Sequence, residues 1–282
     1  MQETIHGITL GAVRYRDTRQ IVHLYTLEHG RMALVAPCAG SGKGRKAAQP
    51  ALWRPLNIVE TEADVRAAAR LPWVRAPRLT EPWTTLCSDP VKGTLCLFLS
   101  ELLTAALQEQ QSEPPLFQFI CDSLRWLDNA TYGYANFHLV FMMRLMTFLG
   151  IQPDTRGWHE GWAFNLGTGE FQPVPAPLQA PLRLPTAPLR LPPIGGRAQT
   201  TEGRAQTIGG REGPQAPHLL PPDEARWMPL LLRMNYTNMR RVRLSRHQRR
   251  RCIEVLNRYF SLQLPPFPTL RSVNVLAEVF DA

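Results

Sequence analysis

The sequence predicts an α+β chain of several domains, a small antiparallel β-barrel followed by a mainly α-helical part. Three observations carry this. Residues 1–80 hold short runs rich in β-branched residues separated by tight turns. Beyond Pro90 the apolar residues recur at a helical period. A stretch crowded with Pro, Gly and Arg then separates those helices from two more, and it has no apolar seam. The division expected is 1–80 for the barrel, 81–155 and 223–282 for two parts of one helical domain, and 156–222 for an intervening region ending in a low-complexity linker.

TIHGITLGAVR (4–14) reads as the first strand, and IVHLYTLEHGRMALVAPC (21–38) as two strands joined at Glu28-His29-Gly30-Arg31. ALWRPLNIVETE (51–62) reads as another strand. Four or five such strands, linked by tight turns and one basic loop, fit a small barrel.

That loop, APCAGSGKGRKAAQP (36–50), has a superficial likeness to a nucleotide-binding loop, which needs Gly, four residues, Gly-Lys and then a hydroxyl residue opening a helix. Gly44 stands where the hydroxyl belongs and Pro37 where the first glycine belongs, and the chain beyond runs into Pro50 and a strand. The glycines fit a loop whose amides, with Lys43, Arg45 and Lys46, follow an irregular phosphate chain.

VKGTLCLFLSELLTAALQE (91–109), PLFQFICDSLRWLDN (115–129) and YANFHLVFMMRLMTFLGI (134–151) each carry a wide apolar face, and Gly150 with Pro153 stops the third. Phe137, Phe141, Met142, Leu145 and Phe148 form a stripe at core spacing, and His138 reads as a core histidine. Within 173–222, APLRLP and GRAQT each recur at a shift of seven, with too little apolar surface to order the segment. Helical texture resumes in PPDEARWMPLLLRMNYTN (221–238) and LSRHQRRRCIEVLNRYFSLQL (244–264). Ser245 is the expected N-cap, with Cys252, Val255, Leu256, Tyr259 and Phe260 on the apolar face. Arg240, Arg241, Arg243, Arg246, Arg249, Arg250 and Arg251 crowd the turn and first helical turns, an arrangement that works against the helix macrodipole.

The net charge of +9 divides as +6 over 1–80, −5 over 81–155, +2 over 156–222 and +6 over 223–282. Two basic segments flanking an acidic middle point to a polyanionic partner. No apolar run reaches the roughly eighteen residues of a membrane span, and the first residues lack a signal-peptide pattern, so no membrane partner and a cytosolic location are expected. The five cysteines have no metal-ligand spacing and read as reduced, mostly buried small hydrophobes. No nucleophile elbow, His-Glu-x-x-His helix or acidic set for two-metal nuclease chemistry occurs, so no catalytic residue is assigned and no enzyme is expected.

ITLGAVRYRDTRQIVHLYTLEHGRMALVAPCAG, the basic loop leading to AAQPALWRPLNIVE, then TLCLFLSELLTAAL, LFQFICDSLRWLDN, FHLVFMMRLMTFLGIQPD and RSVNVLAEVF succeed one another as in the bacterial DNA repair protein RecO family of recombination mediators. The chain resembles that family nearly throughout, apart from 173–222. The resemblance implies an amino-terminal OB-fold barrel and a mainly helical second domain. Many members also carry a four-cysteine zinc-finger-like module, whereas GWHEGWAFNLGTGEFQP (157–173) has no cysteine. Phe164, Gly167, Gly169 and Phe171 keep a hairpin pattern, so the implied region is degenerate, holding neither zinc nor another cofactor.

By resemblance the protein binds single- and double-stranded DNA, anneals complementary strands and assists recombinase loading onto strands coated by single-strand-binding protein. The candidate DNA contacts are Arg14, Arg16, Arg19, Arg31, Lys43, Arg45, Lys46, Arg54, Arg240, Arg241, Arg243 and Arg246, with Tyr15, Tyr25 and Trp53 as candidate stacking rings. Implied partners are RecR, the acidic carboxy-terminal tail of single-strand-binding protein and, indirectly, RecA, at a cytoplasmic, nucleoid-associated location. The tail needs an apolar pocket rimmed by cations, and 81–155 offers only Lys92, Arg125 and Arg144, so cations from 223–258 are expected to supply part of the rim. The alternative from another class is an OB-fold RNA-binding or ribosome-associated factor, which the same basic barrel would serve.

Overall fold

The structure is a computed structural model that describes residues 2–38, 50–65, 71–108, 111–174 and 218–281. Lys43, Arg45, Lys46 and nearly all of the repeat segment lie outside the described residues. The chain divides into two compact units, 1–153 with 227–282, and 154–226.

The first unit opens with β1 (Gln2–Arg16), β2 (Arg19–Thr26), β3 (Gly30–Pro37), β4 (Ile58–Asp64) and β5 (Arg75–Leu79). They form one antiparallel sheet in the order β3-β2-β1-β4-β5. A parallel bridge between Val35 and Trp73 joins its two edges, with the Val35 amide donating to Pro72 O at 2.8 Å and Val74 N donating to Val35 O at 3.0 Å. This one bridge, just ahead of β5, draws the two ends of the sheet together into an OB-like barrel. Side chains alternate, and Ile5, Val22, Leu24, Leu34, Ala36, Val59, Ala63 and Val74 pack inside. Gly7 lets β1 pack closely on β2, since a Cβ there would meet Leu24 Cδ1 at 3.0 Å and push that side chain aside. Gly30 takes φ +65° in the β2–β3 turn, a conformation open to glycine at little cost.

The expected strand over 51–62 is only half a strand. Its first part is a 3-10 turn, Pro50–Trp53, and Leu56 follows at φ +63°. Leu52 and Trp53 are consecutive and both join the barrel core, which the alternation of a strand forbids. β5, which carries Pro77, is the strand the sequence left unnamed.

Three helices follow, α1 (Pro90–Ala106), α2 (Pro114–Asn129) and α3 (Phe137–Phe148). Asp89 caps α1 by accepting from the amides of Val91 and Lys92 at 2.8 and 3.2 Å, with Pro90 in the first turn. Phe137, Phe141, Met142 and Leu145 are fully buried, as the core reading of that stripe requires.

The second unit holds β6 (Ala163–Asn165), β7 (Glu170–Gln172), β8 (Leu219–Leu220) and the single turn α4 (Pro222–Ala225). The strands pair antiparallel in the order β7-β6-β8. Phe164 and Phe171 pack edge to face at 4.9 Å, and Ala163, Leu166, Leu220 and Ala225 are buried in the same unit.

The chain then returns to the first unit with α5 (Trp227–Arg233), α6 (Arg246–Gln263) and α7 (Ser272–Asp281). Ser245 caps α6 in a reciprocal capping box with Gln248. The N-terminus of α7 is held by Glu101 of α1, whose carboxylate accepts from the amides of Arg271 and Ser272 at 2.8 Å each.

Candidate nucleic-acid interface

The antiparallel β1–β2 pair carries its turn beyond the barrel core, so Gly11–Arg16 of β1 are mostly exposed. Arg14, Tyr15, Arg16 and Arg19 surround this turn, and Arg14 reaches Asp17 O at 3.4 Å. The Arg16 guanidinium lies 5.3 Å from the Tyr15 ring centre and that of Arg19 lies 4.8 Å from the Trp73 ring centre. Tyr15 and Trp73 are 52% and 45% exposed, wide apolar rings beside cations at the surface.

Two of the expected stacking rings lie elsewhere. Tyr25 and Trp53 are 2% and 5% exposed, Trp53 in the barrel core and Tyr25 against Phe117 of α2. Burial, reinforced by the charge of Glu113, pushes the Tyr25 hydroxyl up to about 12. Arg31 is also placed differently from Arg14, Arg16 and Arg19. Its Nη1 donates to Thr104 O and Leu107 O at 2.8 and 2.9 Å and to Gln108 Oε1 at 3.2 Å, so it satisfies the last carbonyls of α1 and ties the barrel to that helix. Arg54 is exposed beside Asn57, Trp83 and Leu97.

The second basic group is built from the helical side. Asn136, buried just before α3, donates to Met239 O and Val242 O at 3.2 and 2.9 Å and accepts from Arg249 Nε at 3.1 Å. These bonds pin the 3-10 turn Met239–Arg241 and leave Arg240, Arg241 and Arg243 exposed along it, with Arg246 exposed at the start of α6. Arg250 and Arg251 instead face Glu254 at 3.3 and 3.2 Å. Burial, with Arg246 nearby, lowers the pKa of Arg249.

Arg240 also borders a cleft of about 680 Å³ walled by Trp126 and Tyr236, whose ring centres lie 5.1 Å apart and which both stack on the buried Phe137 behind them, at 5.9 and 5.1 Å. Tyr132, 72% exposed, stands at its rim. Arg125 lines it too, but pairs with Glu81 and with Asp122 at 2.7 Å. Lys92 is buried, its ammonium on Thr85 Oγ1 at 2.6 Å and Asp128 O at 3.1 Å, so it belongs to no rim.

Among the described residues no group of three or more His, Cys, Asp or Glu side chains is placed to hold a metal ion, and no helix is long and apolar enough to cross a membrane. The closed five-stranded barrel and its helical partner define an OB-fold protein of the α+β class. A family model described as Recombination protein O N terminal matches residues 1–83, and one described as Recombination protein O C terminal matches 87–157. A DNA repair protein RecO from Phocaeicola vulgatus is 35% identical and one from Bacteroides fragilis 33% identical, each over the whole of both chains. One from Porphyromonas gingivalis is 27% identical over 98% of each chain. The chain belongs to the RecO family, which serves DNA repair and recombination and is not a known family of enzymes.

Proposed function

We propose that the protein is a non-enzymatic recombination mediator that binds single- and double-stranded DNA, anneals complementary strands and assists RecA loading onto strands coated by single-strand-binding protein. The observation that carries this reading is the pair of arginine groups, the exposed Arg14 and Arg16 with the half-buried Arg19 on the barrel, and the exposed Arg240, Arg241, Arg243 and Arg246 on and just after the pinned turn. Annealing needs no active site, only the neutralisation of two polyanions long enough for their bases to pair. Arg54, Lys43, Arg45 and Lys46 are proposed as further phosphate contacts from the same basic segment. Arg31 is left to its bonds with α1.

RecR and the tail of single-strand-binding protein are the proposed protein partners. The cleft walled by Trp126 and Tyr236 and bordered by Arg240 supports the second, because an acidic peptide ending in an apolar residue needs an aromatic wall beside a cation. The small second unit is proposed to hold no zinc, since Phe164, Phe171, Leu166 and Leu220 already give its strands an apolar core. A nucleoid-associated, cytoplasmic location follows from the proposed ligand.

The test is a fluorescence strand-annealing assay on complementary oligonucleotides, across a salt series and with or without single-strand-binding protein. Annealing should proceed with a chelator and without nucleotide, and fall as salt rises. Salt-independent binding, or stronger binding to RNA of matched sequence, would reject the reading.

A further inference from the structure

Resting on the reading of the protein as a DNA-binding mediator, we infer that Trp73, braced by Arg19, is a platform on which the barrel stacks an unpaired base. The barrel then takes single strands by their bases as well as by their phosphates.

The placement follows from strand parity. Val22 and Val74 point into the barrel core, so Arg19, Ile21 and Trp73, each an odd number of positions away, point outward. The bridge to Val35 fixes the Trp73 backbone on both sides, through Pro72 O and Val74 N, so the indole is carried by the closed sheet and not by a free loop. Arg19 enters from the neighbouring end of β2, where it pairs with Pro37 of β3, and its guanidinium sits 4.8 Å from the ring centre. That contact orients the indole while leaving it 45% exposed.

A wide ring held rigid, open to solvent and flanked by cations matches one kind of ligand, a planar base joined to an anion. Tyr15 beside Arg16 repeats the pairing on the adjoining β1–β2 turn, giving the strand a second ring along the same basic edge. A duplex keeps its bases stacked on one another and offers the indole no free face, so the platform discriminates for single strands.

The experiment measures binding of the full-length protein to an oligothymidylate and to a strand of equal length built from abasic residues, by anisotropy and by tryptophan quenching. Trp73→Leu keeps apolar bulk over the sheet and removes the ring, while Trp73→Phe keeps a ring. We expect the wild type to prefer the base-bearing strand. Trp73→Leu should lose about tenfold on that strand, the scale of one stacked base, and nothing on the abasic one. Trp73→Phe should restore most of the preference. An unchanged affinity in Trp73→Leu, or an equal loss on both strands, overturns the inference and leaves the mediator reading standing. A wild type that binds neither strand overturns both. Should Trp73→Leu fail to fold, the difference between the wild type and Trp73→Phe, which lacks one of the seven tryptophans, decides the question: quenching by the base-bearing strand should shrink in Trp73→Phe, and unchanged quenching sinks the platform.

Discussion

His138 lies on α3 with no exposed surface, its ring edge-on to Phe98 of α1 at 6.3 Å. Burial first, and then the charge of Arg249, push its pKa down from 6.5 to about 3. In the unfolded chain the same side chain protonates near 6.5, so between these values the unfolded state holds the extra proton. Its contribution to stability is complete above 6.5 and is lost progressively as pH falls toward 3. Urea unfolding from pH 7.5 to 5 should therefore show a steeper loss in the wild type than in His138→Leu, approaching about 1.4 kcal/mol per pH unit at the acid end. Equal slopes would remove His138 as the cause. The burial of this residue was legible from its place in an unbroken apolar helix. The rings were not: Tyr15, Tyr25, Trp53 and Trp73 look alike in sequence. Which of them is outside depends on the half-turn at 50–53 and on the bridge that closes the barrel, both tertiary facts.

At the scale of elements, helices announced themselves by period and caps, and Ser245 stands where its capping box requires. The strand expected at 51–62 failed because a run of apolar residues does not reveal whether neighbours alternate or share one side. The arginine turn was visible as composition, but its anchor was not. Asn136 sits about a hundred residues before the carbonyls it binds, and nothing local marks it as their partner. The hairpin β6–β7 is the opposite case, read from Phe164 and Phe171, whose rings do meet. If that apolar contact replaces a metal, a chelator should leave the unfolding transition unchanged and elemental analysis should find no stoichiometric zinc. Phe164→Ala should then remove the largest buried ring of the sheet, at a cost of about 3–5 kcal/mol, read as protease sensitivity within 154–226. Chelator-induced unfolding of the wild type would restore zinc to the unit.

For the whole molecule the deciding quantity is how charge is divided. The barrel segment and the carboxy-terminal segment each carry +6, and the structure presents part of each as exposed guanidinium groups on rigid backbone, the first on a β-turn and the second on a pinned 3-10 turn. A single strand long enough to meet both groups releases counterions at each, and the fall of log affinity with log salt measures how many phosphates are held. Replacing Arg240, Arg241 and Arg243 by alanine removes three candidate contacts. The slope should become shallower by about 2, at roughly 0.7 per phosphate on single-stranded DNA. Replacing Arg14, Arg16 and Arg19 should do the same. Because the two groups sit on separate elements, the six-residue variant should lose about 4. Annealing should fall further than binding in each triple variant, since one group still holds a strand while pairing needs the second strand neutralised as well. A triple variant with an unchanged slope would take that group off the strand, and a six-residue loss no larger than either triple would mean the two groups compete for the same phosphates.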